Sequence, residues 1–137
     1  MTEEQPASGS TPARATPTVL IVDDQAEIRK ALRMILEALS QACRVLEATD
    51  GDSALRLARA ERPDLVLLDI VLPGSGVSGV LVCQELCKDP RTKVVIVSAE
   101  ASDAIVQACL SQGAVEYVRK PFSVPDLQAK LDAWLGA

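Results

Sequence analysis

The chain has 137 residues, 48% hydrophobic and 24% charged, which is enough for one globular domain with a core and too few for two. Its net charge of −5 argues against a surface built to neutralise nucleic-acid phosphates, which needs clustered Lys and Arg. The longest apolar runs are strand-sized, far below the roughly 18 residues needed to cross a bilayer, and the amino terminus lacks a charged stretch followed by an apolar one; a cytoplasmic protein that contacts neither membrane nor nucleic acid is expected.

Residues 1–17 are rich in Thr, Pro, Ala, Ser and Gly without apolar periodicity. Such a segment cannot bury enough surface to offset the entropy of ordering, so it reads as a disordered tail ahead of a domain at 18–137. Val19 to Val22 is an unbroken apolar run that ends in Asp23 and Asp24. From Ala26 to Leu39 the residues Ile28, Leu32, Ile35 and Leu39 follow helical spacing, with Arg29, Lys30 and Arg33 on the outward, solvated face. Arg44 to Ala48 is a short strand candidate, and Asp50 to Glu61 a second helix capped by Asp50 or Asp52 and closed by Pro63.

Leu65 to Leu68 is the second apolar run and delivers Asp69 at its end, before Pro73 and Gly74 turn the chain. Short apolar runs without alternation suit parallel strands buried on both faces. A Gly- and Ser-rich loop, Gly74 to Ser78, leads to a third helix at Gly79 to Lys88 and the turn Asp89-Pro90-Arg91. Val94 to Val97 is the third run, ending in Ser98. The helix Ser102 to Gln112 offers Ile105, Val106, Cys109 and Leu110 to the core, with Gly113 as its C-cap. Val115 to Val118 is a fifth strand, from whose end Arg119, Lys120 and Pro121 depart; Ser123 and Asp126 resemble a capping box for a last helix facing inward with Leu127, Leu131 and Trp134 or Leu135. Strand and helix alternate five times, which specifies an α/β, doubly wound parallel sheet with helices on both faces.

Cys43, Cys83, Cys87 and Cys109 lie in patterned apolar segments and the chain has no histidine, so they read as reduced core thiols; Cys83 and Cys87, four apart, are at most half of a metal site.

In an open α/β sheet the carboxyl ends of the strands line the ligand crevice. Here they present Asp23, Asp24, Asp69, Ser98 and Lys120. Three crowded carboxylates repel one another unless a hard cation lies among them, and magnesium suits an all-oxygen set that leaves room for water and phosphate oxygens. With Lys120 balancing the charge, a carboxylate in that crevice is equipped to act as a nucleophile towards phosphorus, and Ser98 to hydrogen-bond a phosphoryl oxygen.

The segments Val-Leu-Ile-Val-Asp-Asp, Leu-Val-Leu-Leu-Asp-Ile-Val-Leu-Pro-Gly, Val-Val-Ile-Val-Ser-Ala and Tyr-Val-Arg-Lys-Pro-Phe, in this order from about Thr18 onward, resemble the receiver domain of two-component response regulators. That resemblance implies a flavodoxin-like five-stranded sheet of order 2-1-3-4-5. It implies that Asp69 accepts a phosphoryl group from a phosphohistidine on a sensor histidine kinase or histidine phosphotransfer protein. Asp23 and Asp24 match the acidic pair that holds Mg2+ with Asp69, and Val71 the position whose backbone carbonyl is a further ligand. Ser98 and Lys120 match the hydroxyl and the amine that meet the phosphoryl group, and Lys120-Pro121 a bond usually cis in the family. Tyr117 matches the aromatic switch that turns inward with Ser98, reshaping the face of the fourth helix, fifth strand and fifth helix towards a downstream protein target.

The match has departures. Five residues separate Pro73 from Gly79 and none is acidic, about two more than relatives carry, so a longer loop beside the acceptor is expected. Val71 and Glu100 fall where relatives vary and phosphate lifetime responds. The chain ends directly after the last helix, so the expectation is a regulator without an output domain that signals by protein contact. A pseudo-receiver that is never phosphorylated is the alternative. A turnover enzyme, such as an aspartyl-phosphate phosphatase, needs a second acid two residues after the nucleophile, where this chain has Val71.

Overall fold

The computed structural model describes residues 16–72, 78–99 and 102–136; most of the amino-terminal tail, the loop beginning at Pro73, and Glu100 lie outside them. The element order is β1 (Thr18–Val22), α1 (Ala26–Glu37), β2 (Arg44–Ala48), α2 (Gly51–Glu61), β3 (Leu65–Leu68), α3 (Gly79–Leu86), β4 (Lys93–Ser98), α4 (Asp103–Gln112), β5 (Glu116–Arg119) and α5 (Val124–Gly136). The strands form one sheet in the order β2-β1-β3-β4-β5, every pair parallel.

Strand side chains alternate between two cores, because successive residues point to opposite faces. Val19, Ile21, Leu65, Leu67, Val95 and Val97 meet α1 and α5 through Leu32, Leu36, Leu127 and Leu131. Leu20, Val22, Val66, Leu68, Val94 and Ile96 meet α2, α3 and α4 through Ala54, Val82, Cys83 and Cys109. Both faces are covered, which is why the central strands read as unbroken apolar runs. Each fully buried Leu, Ile or Val contributes about 1.5–3 kcal/mol of transfer free energy, so these runs anchor the sheet and fix its register.

Of the side-chain N-caps, Asp50 and Ser123 are the expected ones, and Ser78 and Ser102 add two that the sequence reading did not single out. Asp50 accepts from Ser53 N at 2.8 Å, Ser78 from Leu81 N at 3.2 Å, Ser102 from Ile105 N at 3.2 Å and Ser123 from Asp126 N at 3.3 Å. Pro63 follows α2 directly after Arg62, which closes the helix in the left-handed region at φ 48°. Gly113 ends α4 at φ 120°, a conformation that favours glycine.

Some assignments shift: α1 ends at Glu37 rather than Leu39, and α3 at Leu86 rather than Lys88. β5 begins at Glu116, and Val115 is 47% exposed. In α4 only Cys109 is fully buried; Leu110 is exposed and Val106 half-exposed. This helix is apolar around much of its circumference, so spacing alone does not identify the face that meets the sheet.

No helix among the described residues is long and apolar enough to cross a membrane.

Candidate functional site

The sheet register assembles the site. Val22 pairs with Leu68, and Asp69 N donates to Val22 O at 2.9 Å, which sets Asp69 beside Asp23. Ser98 is the last residue of β4, and Lys120 N donates to its carbonyl at 3.0 Å. Three strand ends therefore converge with the β5–α5 connection on one edge of the sheet.

Asp23, Asp69 and Ser98 are buried at 1%, 4% and 0% exposure, while Asp24 is exposed. Lys120 Nζ lies 2.7 Å from Asp23 Oδ2 and 3.0 Å from Asp69 Oδ2, with Gln25 Oε1 as a third acceptor at 3.3 Å. Ser98 Oγ donates to Asp69 Oδ1 at 2.7 Å, and Val71 N to the same oxygen at 2.9 Å. Asp23 Oδ1 accepts from Gln25 N at 2.9 Å. The two buried carboxylates are thus satisfied, charge-assisted and tightly oriented.

Burial pushes the Asp23 carboxyl above its ordinary range; Lys120 and the Gln25 amide pull it back, and the charge of Asp69 adds to the rise. For Lys120, burial acts against the ammonium, but the hydrogen bonds to Asp23 and Asp69 outweigh it and its pKa is raised. One ammonium does not neutralise three acids, so the site holds excess negative charge at neutral pH.

Each of Asp23, Asp24 and Asp69 offers a carboxylate oxygen, all within 4.8 Å of one another, and among the described residues this is the one cluster of three or more side chains able to hold a metal ion. An all-oxygen, acidic donor set with excess negative charge fits a hard divalent cation such as magnesium. Val71 follows Asp69 in the same turn.

Tyr117 pairs with Ile96 in the sheet and packs, half-buried, against the core on the α2–α4 side. Lys120-Pro121 is cis. The four cysteines are free thiols, Cys83 and Cys109 buried and Cys43 and Cys87 partly so; Cys83 Sγ and Cys87 Sγ are 4.0 Å apart.

Three residues near the site are not legible in the sequence: Gln25, which meets both Lys120 and Asp23, and the pair Arg29 and Glu47. Arg29, assigned to a solvated face, has a side chain only 17% exposed, and it donates from Nη1 to Asp23 O at 2.9 Å and from Nε to Glu47 Oε1 at 2.8 Å. Glu47 also accepts from Arg33 Nε at 2.9 Å. The basic face of α1 is therefore tied to β2, because Glu47 shares with Val45 the strand face that α1 covers.

A family model described as "Response regulator receiver domain" matches residues 19–132. The chain belongs to the response-regulator receiver family of two-component signal transduction. It is 42% identical over 117 residues to the probable transcriptional regulator ycf27 of Guillardia theta, covering 85% of this chain and 44% of that protein. It is 37% identical over 117 residues to the DNA-binding response regulator MtrA of Mycobacterium leprae, covering 85% of this chain and 50% of that one. The chain spans about half the length of the curated relatives it matches. Among solved structures, the CheY-like receiver protein of Methanospirillum hungatei JF-1 superposes with a TM-score of 0.81 at 29% identity, over 89% of this chain and 95% of that one. The BeF3-activated DrrB receiver domain gives 0.78 at 27%, over 90% and 100%.

Proposed function

We propose that residues 18–137 form a phosphorylatable receiver in which Asp69 takes a phosphoryl group from a phosphohistidine on a sensor kinase or phosphotransfer protein. The observation that carries this reading is the convergence on Asp69: its two oxygens meet Lys120, Ser98 and the Val71 amide, with Asp23 and Asp24 within cation-sharing distance. A carboxylate oxygen of Asp69 attacks phosphorus as the phosphorus–nitrogen bond to the donor imidazole breaks, and the electron pair returns to the ring nitrogen. Lys120 stabilises charge on the transferred group's oxygens. Asp23, Asp24 and Asp69, with the Val71 carbonyl, would hold Mg2+, which when bound neutralises charge developing on the phosphoryl oxygens. Phosphorylation is self-catalysed, as is the later hydrolysis; the domain turns over no separate substrate.

The same reading makes Ser98 and Tyr117 the switch. Ser98 now spends its hydroxyl on Asp69; a phosphoryl group there supplies new acceptor oxygens, and movement of Ser98 frees space towards which Tyr117 turns. Both states pre-exist, and phosphorylation shifts their populations. The altered face of α4, β5 and α5 then binds a downstream protein. The net charge of −5 supports protein rather than nucleic-acid contact by the receiver itself, although relatives such as MtrA are DNA-binding regulators. A cytoplasmic location accords with the kinase partner.

The test is beryllofluoride or acetyl phosphate with and without Mg2+, on wild type and Asp69→Asn, read from amide resonances. Tyr117 is the reporter of choice. Trp134 is a poor one: its carbonyl accepts from Lys93 Nζ at 2.9 Å, at the opposite end of β4 from Ser98. A Mg2+-dependent, Asp69-dependent change reaching Tyr117 supports the switch. A folded wild type that does not respond overturns it in favour of an unphosphorylated interaction module.

A further inference from the structure

Arg29 reaches back from the first turn of α1 to the carbonyl of Asp23, 2.9 Å from Nη1. That carbonyl belongs to the peptide joining Asp23 to Asp24, so its orientation fixes the angle between the two acids. The other end of the guanidinium is pinned by Glu47 Oε1 at 2.8 Å, and Glu47 is held in turn by Arg33 through Oε2 at 2.9 Å. Glu47 sits in β2 opposite Ile21 of β1, on rigid sheet. The backbone on the other side is also tied, by Asp23 N to Ala48 O at 3.1 Å.

We propose that Arg29, anchored by Glu47, is a positioning residue for the cation site: it fixes the peptide plane between Asp23 and Asp24 and thereby sets how tightly the acidic cluster binds a divalent cation. This rests on the reading of that cluster as a magnesium site. Arg is suited to the task because its planar fork serves Glu47 and the carbonyl at once, which a single ammonium does not reproduce. Loss of such an outer support costs roughly tenfold or more in metal affinity.

The sign of the effect separates positioning from simple charge. Arg29 is a cation near a cation site, so its removal by electrostatics alone tightens Mg2+ binding; loss of the brace weakens it. The experiment measures the Mg2+ dissociation constant of the full chain by amide-resonance titration for wild type, Arg29→Met, Arg29→Lys and Arg33→Ala. A second readout, taken without metal, is hydrogen exchange of the Gln25 amide, which is bonded to Asp23 Oδ1. The expected result is roughly tenfold weaker Mg2+ binding in both Arg29 variants and faster Gln25 exchange, with Arg33→Ala within about twofold of wild type because it leaves the Asp23 contact in place.

Mg2+ binding in Arg29→Met as tight as wild type or tighter, or unchanged Gln25 exchange, overturns the proposal. If Arg29→Met fails to fold, Arg29→Lys decides on the same readouts. A wild type that binds no Mg2+ overturns the magnesium reading itself, and Gln25 exchange then judges the brace separately.

Discussion

Ser98 Oγ donates to Asp69 Oδ1 at 2.7 Å, and Ser98 is wholly buried. Its hydroxyl therefore solvates a carboxylate that has little water to turn to. Ser98→Ala leaves that oxygen with the Val71 amide alone, and a hydrogen bond to a charged group is worth about 1.5–3 kcal/mol. Denaturant unfolding should show a loss in that range. On the proposed function, Ser98→Ala still takes up beryllofluoride with Mg2+, but the shift at the Tyr117 amide disappears.

Lys120 is the one ammonium between two buried acids, with side-chain exposures of 11% for Lys120, 2% for Asp23 and 5% for Asp69. Removing that ammonium leaves two buried acids uncompensated, at a cost of about 3 kcal/mol or more. Lys120→Met is expected to lose that much stability without metal, measured by urea unfolding. It should also bind Mg2+ more tightly than wild type, since the competing cation is gone, and the added Mg2+ should return part of the lost stability by binding only the folded state.

Asp23 contributes to the pH dependence of stability in the sense opposite to Glu47, whose carboxyl Arg33 holds below its ordinary value. The folded-state pKa of Asp23 lies above the ordinary value, with burial as the leading cause, so the folded protein holds this proton more tightly than the unfolded chain does. Asp23 therefore costs stability above its raised pKa, and that cost fades as pH falls through the raised value towards 3.8. Asp23→Asn is expected to be more stable than wild type at pH 7, with the difference shrinking as the pH approaches 4. Thermal unfolding across pH 4–8 without metal checks this. Saturating Mg2+ should narrow or reverse the order, because only the wild type retains all three carboxylates.

The parts of this protein legible in its sequence are those that local chemistry dictates. The three unbroken apolar runs are strands because both sheet faces are covered, and the polar residues that end them fall on one edge because all strands are parallel. Asp23, Asp69, Ser98 and Lys120 accordingly come together where their positions in the chain predict. The bounds of β5 and the inner face of α4 were not legible, since Val115 and Leu110 are apolar yet exposed and periodicity has no means to tell an exposed apolar residue from a core one. The Arg29–Glu47 link was invisible for a different reason. It depends on which face of β2 looks towards α1, a property of tertiary packing between residues 18 apart.

Gly79 tests how closely the chain must pass the site. A Cβ built on it would lie 2.2 Å from Ile70 O and 2.3 Å from Ile70 Cα, both backbone atoms with no side-chain rotamer to relieve the clash. Ile70 follows Asp69 directly, so the start of α3 is pressed against the turn whose Val71 amide donates to Asp69 Oδ1. Gly79→Ala must therefore move α3 or the turn, and overpacking of this kind costs about 3 kcal/mol. Unfolding should register that loss, and the Val71 amide resonance should shift in the folded fraction. A control, Val80→Ala on the same helix, removes apolar contact at a half-buried position without forcing the backbone apart, so it should lower stability while leaving the Val71 resonance in place. If Gly79→Ala keeps both wild-type stability and the wild-type Val71 resonance, the close approach of α3 to the Asp69 turn is not a constraint on this fold.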